Sequence, residues 1–308
     1  MSGTLDMVRE LVTEVRTESA TAEVALWTVS VSVAAYVGAV FGSRQNRSRG
    51  AGALSAAHGW GAMRFAALAA MFTLVTVQVS TSGWLTKADA ATLDLCAAHR
   101  FTAATPVAVV ITDVSSPVGV AIIAVATAAL VSWRRRSWAP GVLIAGTVVS
   151  AMAANTVTKM IVGRTRPPDA AEFVTEVDLS YPSGHVTGIV ALAGALLVVL
   201  GAHARTIPGR VSAGAAIVFA GTVVAGTRLY LGACWLTDVI GGVLLGAAVA
   251  TAASLVAAVF AGRGLPNAAV ALDDLPHRTN SDHPCRANPN IAQWNLGVGR
   301  TRRPESIR

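Results

Sequence analysis

The sequence predicts an all-α protein, a polytopic bundle of transmembrane helices, and two observations support this. First, 53% of its 308 residues are hydrophobic and only 13% are charged, with a mean hydropathy of +0.56. A soluble domain carries about twice that charged fraction. Second, the apolar residues form long stretches, each near the roughly 20 residues that a helix needs to cross a bilayer. The net charge of +7 follows the loops. We therefore expect membrane lipids, and not nucleic acid, as partners.

The individual spans follow from these apolar stretches. The third is interrupted near its start by Asp113 and by Ser-Ser-Pro at 115–117, so its helix is expected to begin later. We divide the chain into an acidic surface segment (1–23), an extra N-terminal span with a basic loop (24–60), a transmembrane domain (61–262) and a disordered basic tail (263–308). The seven stretches are 24–42, 62–82, 108–132, 139–158, 185–202, 211–227 and 239–261.

Arginines predict the orientation. They cluster between the first and second, third and fourth, and fifth and sixth spans, which are alternate loops and therefore lie on one side. Basic loops mark the cytoplasmic face. We thus expect a multi-pass plasma-membrane protein with its N-terminus outside. The segment "TKADAATLDLCAAHRF" (86–101) is predicted to form an external amphipathic helix.

Three polar segments then share the outer face: "KMIVGRTRPPD" (159–169), "YPSGH" (181–185) and "RLYLGACWLTD" (228–238). Each has an ordinary explanation. The cations of the first can extend to the interface, the second can be a turn with a helix N-cap, and Arg228 with Asp238 can be a structural ion pair. Their combination favours a site instead. The polar groups that it gathers are Lys159, Arg164, Arg166, His185, Arg228 and Asp238.

These residue types suit a phosphoryl group. Lys159 and Arg166 are seven residues apart, so both face one pocket if the helix continues that far. The planar guanidinium matches phosphate oxygens, and Arg228 adds a third cation. Residues 183–185 precede a helix, whose first N–H groups and dipole favour an anion. His185 is able to protonate a leaving alkoxide near neutral pH.

The three segments together resemble the type 2 phosphatidic acid phosphatase (PAP2) superfamily of membrane lipid phosphatases. The family pattern is Lys, six residues, Arg-Pro; then Pro-Ser-Gly-His; then Ser-Arg, five residues, His, three residues, Asp. Here the first motif runs from Lys159 to Pro167, the second is 182–185, and the third ends at Asp238 with Thr227 in place of the serine. The resemblance covers roughly residues 60–262 and implies a six-helix core, which corresponds to the second to seventh spans.

The resemblance also implies the activity. It is hydrolysis of a lipid phosphate monoester or diphosphate (phosphatidate, phosphatidylglycerol phosphate or polyprenyl diphosphate type) at the outer interface, with no cofactor and no metal. His185 would be the general acid, and Asp238 would orient the nucleophile. The nucleophile of the family is histidine, and Cys234 stands in its place. The phosphate-binding residues would be Lys159, Arg166, Ser183, Gly184 and Arg228.

Cys234 leaves three outcomes open. Positive surroundings favour a thiolate nucleophile, whereas the nearby Asp238 disfavours one. The thiol is also roughly 2–3 Å shorter than an imidazole, and a misplacement of about 1 Å can cost 10²-fold in rate. The site therefore uses the thiolate, or uses another base such as His99 with direct attack by water, or binds or flips a lipid phosphate without cleaving it. Cys234 as an inert apolar side chain is the remaining interpretation. No metal-ligand spacing and no disulfide pattern are present in the sequence, and it does not determine the oligomeric state.

Overall fold

The computed structural model describes residues 2–45, 53–168, 178–201 and 207–262. Over these ranges the regular secondary structure is helical, joined by turns and loops, and contains no strand, as the sequence predicts. The predicted basic tail, 263–308, and most of the first basic loop lie outside the described residues. The helices are α1 (Ser2–Gln45), α2 (Ala53–Ser80), α3 (Lys87–Ala98), α4 (Thr105–Val114), α5 (Pro117–Arg135), α6 (Ala139–Val162), α7 (Gly184–Gly201), α8 (Ile207–Tyr230) and α9 (Leu236–Gly262).

Five of the helices in the described part are long and apolar enough to cross a membrane. The fifth predicted stretch forms α7, which is apolar but shorter, and the sixth forms the 24-residue α8. The chain is thus a multi-pass membrane protein. The five spans are Ala22–Ser43, His58–Ser80, Pro117–Arg135, Ala139–Val162 and Leu236–Phe260.

The third predicted stretch is divided between two helices. α4 ends at Val114, and α5 begins at Pro117. The Oγ of Ser116 accepts a hydrogen bond from the N–H of Gly119 at 3.1 Å, and proline occupies the first turn, where no N–H is needed. The later start of the third span is therefore confirmed.

The N-terminal segment differs from the two separate elements that the sequence suggests. α1 is one continuous helix of 44 residues, in which the acidic stretch leads into the first span without a break. No proline or glycine interrupts residues 4–37, so backbone hydrogen bonding continues through both parts.

Helix α9 approaches α7 closely because its facing residues are glycines. A Cβ added at Gly242 would lie 2.8 Å from the carbonyl oxygen of Ser183, and one added at Gly246 would lie 2.7 Å from that of Thr187. Small residues allow helix backbones to pack at short range in membranes. This packing brings the N-terminal ends of α7 and α9 together, and the N–H of Ser183 donates to the carbonyl of Asp238 at 3.0 Å.

The outward faces of the helices are apolar. Val118, Ile161 and Phe219 are 70%, 78% and 72% exposed, respectively. A soluble protein rarely leaves so much apolar surface in water, whereas acyl chains are its natural contact in a bilayer. Inside the bundle, α5, α6 and α7 enclose a core around Val120, Ile144 and Leu192.

Candidate functional site

The three motif segments meet around the sulfur of Cys234. Its Sγ lies 3.5 Å from Nη2 of Arg228 and 3.9 Å from Nη1 of Arg166. The Oγ of Ser183 is 3.5 Å away on the second segment. Cys234 itself is only 3% exposed. Two guanidinium groups and a hydroxyl from three separate parts of the chain thus converge on one buried atom.

Arg166 contacts Cys234 from the segment that follows α6, and not from the helix itself. The condition that the helix continues to Pro167 is not met, since α6 ends at Val162. Gly163 follows with φ of 66°, and its N–H donates to the carbonyl of Lys159 at 2.9 Å. Glycine adopts this left-handed conformation without strain and terminates helices for that reason. Arg166 therefore lies on the segment after the helix, where it donates to the carbonyl of Ala233 at 2.8 Å.

Lys159 and Arg166 come together through an acid that the sequence analysis missed. The ammonium group of Lys159 contacts one carboxylate oxygen of Asp178 and donates to the carbonyl of Leu179 at 2.6 Å. Arg166 contacts the other oxygen of Asp178 and donates from Nε to its carbonyl at 2.9 Å. Partial burial alone would raise the pKa of Asp178, but hydrogen bonds and charge from Lys159 and Arg166 hold that pKa below its ordinary value. Asp178 is therefore an anion at neutral pH.

The second segment forms the N-terminal end of α7. Ser183 immediately precedes the helix, and its carbonyl accepts from the N–H of Thr187 at 2.9 Å. Gly184 and His185 form the first turn, and His185 is only 4% exposed. His185 therefore follows Ser183, whose hydroxyl contacts Cys234, by two residues in the same helix start. This is the end of the helix at which backbone N–H groups favour an anion.

Asn155 supports this turn from the middle of α6. Its amide nitrogen donates to the carbonyl of Pro182 and to the Oγ of Thr187, each at 3.1 Å. A Cβ added at Gly184 would lie 3.5 Å from its Oδ1. Asn155 was not predicted, although an amide inside an otherwise apolar span is a recognisable signal.

The resemblance implies that Asp238 orients the nucleophile, and in the structure both of its carboxylate oxygens are bound by other groups. Asp238 is fully buried, and its Oδ1 accepts from Nη1 of Arg164 at 2.8 Å. Its Oδ2 accepts from the hydroxyl of Ser180 and from the N–H of Trp235 at 2.9 Å. The last contact is half of a capping box, which satisfies a free N–H at the start of α9. Asp238 therefore stabilises the end of a helix and pairs with Arg164.

Arg164 also connects Asp238 to α3. Its Nη2 donates to Oδ2 of Asp89 at 2.6 Å, and its Nη1 donates to Oγ of Thr237 at 2.6 Å. Asp89 in turn accepts from the backbone N–H of Thr237 at 2.8 Å. The guanidinium lies 5.3 Å from the ring centroid of Trp235, within the range of a cation–π contact. Asp89 was not predicted, because in the sequence it resembles a surface acid in the first turn of an amphipathic helix.

His99, the proposed alternative base, lies just beyond α3. It is exposed, and its Nδ1 is 2.8 Å from the carbonyl of Leu95, one turn earlier in its own helix. This contact satisfies the ring locally. Nothing in this geometry supports His99 as a base for the site.

Comparisons with known proteins agree with the motifs. Residues 140–260 match the family model described as the PAP2 superfamily. The structure is similar to the crystal structure of a transmembrane PAP2-type phosphatidylglycerolphosphate phosphatase from Bacillus subtilis. The TM-score is 0.57 and the identity 23%, and the match covers 61% of this chain and 93% of that chain. No match was found among curated proteins. Residues 140–260, which contain all three motifs, thus match the PAP2 superfamily, and the fold is similar to that of a transmembrane PAP2-type phosphatase.

Proposed function

We propose that this protein is a membrane phosphatase that hydrolyses a lipid phosphate monoester or diphosphate at the outer membrane–water interface. The observation that carries the proposal is the convergence of Arg166 and Arg228 on Cys234, at 3.9 and 3.5 Å. Two guanidiniums around one buried position favour an anion there. In a phosphatase, that anion is the phosphoryl group in its transition state.

Three cations form the proposed phosphate clamp: Lys159, Arg166 and Arg228. Arginine presents donors in a planar fork that matches phosphate oxygens, and lysine adds a point charge. The N–H groups at the start of α7 and the hydroxyl of Ser183 supply further donors. The close packing of α7 on α9 holds these donors on a rigid support, which keeps the cost of reorganisation low.

The proposed reaction has two steps. The thiolate of Cys234 attacks phosphorus, so that an S–P bond forms and the P–O bond to the lipid breaks. His185 gives its proton to the leaving alkoxide. A water molecule then attacks the phosphocysteine, returns a proton to His185, and releases inorganic phosphate together with the thiolate. Asp238 acts in this scheme through the start of α9, which it stabilises.

The substrate class follows from the position of the site. The clamp lies where α6 and α8 end and α7 and α9 begin, so acyl or prenyl chains stay in the bilayer while the headgroup reaches the cations. The similar crystal structure is that of a PAP2-type phosphatidylglycerolphosphate phosphatase. We propose phosphatidylglycerol phosphate as the first substrate to test, followed by phosphatidate and polyprenyl diphosphates.

A protein that binds or flips lipid phosphates without cleaving them is the second candidate. It is favoured by the contacts of Asp238, whose two oxygens are bound by Arg164, Ser180 and Trp235. A carboxylate held in this way does not activate the thiol of Cys234. The clamp would still hold a headgroup in the absence of chemistry.

Phosphate release by the detergent-purified protein separates the two candidates. Native protein, Cys234→Ala and Cys234→His are each given the three lipid classes, with Cys96→Ala as the control for loss of a free thiol outside the motifs. We expect release by the native protein and by Cys96→Ala, and at least a 10²-fold loss in Cys234→Ala. Equal activity of Cys234→Ala and native protein would exclude the thiol as nucleophile. Release by Cys234→His alone would identify a binding protein that has lost its chemistry.

The nucleophile and the orientation each have a direct measurement. A phosphocysteine trapped by rapid acid quench and located by mass spectrometry at Cys234 is the expected intermediate. For orientation, a reporter at residue 47 is expected on the cytoplasmic side and one at residue 175 outside. The opposite labelling pattern would place the site on the cytoplasmic face.

A further inference from the structure

The clamp already contains an anion that belongs to the chain itself. The two carboxylate oxygens of Asp178 contact Lys159 and Arg166 separately, so this one acid bridges two cations of the clamp. Two oxygens held by an ammonium and a guanidinium reproduce the arrangement that a phosphoryl group would adopt at the same donors. Asp178 and a phosphate therefore compete for the same hydrogen bonds.

Exposure indicates which partner is able to leave. The side chains of Lys159 and Arg166 are only 11% and 10% exposed, whereas that of Asp178 is 55% exposed. The cations are thus held inside the bundle, and the acid approaches from the solvent side. Ion pairs with a solvent-exposed member contribute little to stability, so exchange of this carboxylate for another anion is easy.

We propose that Asp178 is an internal competitor that occupies the phosphate position of the empty site and sets its affinity for anions. A headgroup enters by displacing the carboxylate, which then moves into solvent. Asp178 thereby selects for ligands that bind both cations more tightly than a carboxylate does, such as a terminal phosphate with two free oxygens. This inference rests on the proposed phosphate clamp, and it concerns binding and not bond cleavage.

A positioning role makes the opposite prediction. If Asp178 served only to align Lys159 and Arg166, its removal would release both side chains and weaken anion binding. If Asp178 competes, Asp178→Asn removes the charge and strengthens binding. The sign of the change in affinity thus separates the two roles.

The experiment measures binding of inorganic phosphate to the detergent-purified full chain, from the rise of the unfolding midpoint with phosphate concentration. The matched control is Asp94→Asn, because Asp94 is an exposed acid of α3 and its loss changes the net charge equally. We expect Asp178→Asn to bind phosphate about fivefold more tightly than native protein, the scale of a weak ion pair. Asp94→Asn and the charge-retaining Asp178→Glu are expected to match native protein.

Several outcomes would overturn the inference. Unchanged or weaker binding by Asp178→Asn would do so, and so would an equal gain in Asp94→Asn, which would indicate a general charge effect. If neither native protein nor Asp178→Asn bound phosphate, both the inference and the clamp would fail. Tighter binding by Asp178→Asn without lipid phosphate hydrolysis by any variant would support the internal competitor and remove only the proposed catalysis.

Discussion

Replacement of Arg164 by methionine tests how the site is supported. Arg164 lies between two acids, with its Nη2 at 2.6 Å from Asp89 and its Nη1 at 2.8 Å from Asp238. The side chains of these acids are 3% and 0% exposed, and that of Arg164 is 17% exposed. Methionine keeps much of the length of the side chain and removes its charge. The variant therefore leaves two buried carboxylates without their cation.

The magnitude follows from what the two acids retain. Breaking a buried ion pair from one side costs about 3–5 kcal/mol, since an uncompensated charge stays behind. Asp89 keeps its hydrogen bonds to the backbone and hydroxyl of Thr237, and Asp238 keeps those to Ser180 and Trp235. These donors continue to stabilise both carboxylates, so we expect Arg164→Met to lower the free energy of unfolding by about 3 kcal/mol, the lower end of this range. That is a large share of a typical stability of about 5–15 kcal/mol.

Reversible unfolding in mixed detergent micelles, followed by tryptophan fluorescence, measures this loss. The exposed Arg134→Met is the control, with an expected change under about 0.5 kcal/mol. Adding Asp89→Asn to Arg164→Met removes one of the stranded charges and is expected to recover about 1–2 kcal/mol. A loss below about 1 kcal/mol for Arg164→Met, or further destabilisation by the second substitution, would refute the buried network as a support of the site.

Three further predictions concern other parts of the same framework. Gly242→Val is expected to destabilise the fold by about 1–3 kcal/mol and to lower phosphate release, since its Cβ would lie 2.8 Å from the carbonyl of Ser183; unchanged unfolding would contradict this close contact. Asn155→Leu leaves the buried carbonyl of Pro182 without its donor, so a loss of about 1–3 kcal/mol is expected in the same unfolding assay. The pKa of Asp178 is held below its ordinary value, so this acid stabilises the native state above the unfolded pKa and loses that effect as the pH falls through the folded pKa. Below about pH 4, native protein should therefore lose up to about 1 kcal/mol that Asp178→Asn does not lose, as unfolding midpoints from pH 3 to 6 would show.

The convergence of the motifs could be predicted because span boundaries alternate between the two sides of a membrane. This alternation predicts that Arg166, Ser183 and Arg228 lie on the same side of the membrane, without any knowledge of helix packing. The end of α6 was also within reach of the sequence, since Gly163 directly before a polar segment is a common C-cap signal. The seven-residue spacing of Lys159 and Arg166 suggests instead that both lie on one helix, although Arg166 reaches the same site from the segment after the helix.

Two acids of the site, Asp89 and Asp178, could not be predicted, because their roles depend on tertiary contacts. Asp89 meets Arg164 across 75 residues of sequence, and only the position of α3 against the segment that follows α6 brings them together. Asp178 follows no motif and becomes informative only when its two oxygens are seen on two cations. Spacing rules identify residues that share one element, whereas these pairs join different elements.

The charges of the site form two groups with separate roles. In the inner group, Arg164 satisfies Asp89 and Asp238 with direct hydrogen bonds. In the outer group, Arg166 donates to the carbonyls of Asp178 and Ala233, and Nη2 of Arg228 lies 3.5 Å from the sulfur of Cys234, which is a weak acceptor. A phosphoryl oxygen placed beside this sulfur would accept charge-assisted hydrogen bonds from these guanidinium groups. The hydrogen bonds of the inner group do not involve the thiol, so a different residue at position 234 would leave them in place. A cysteine at this position is therefore compatible with either a phosphatase or a protein that only binds phosphate.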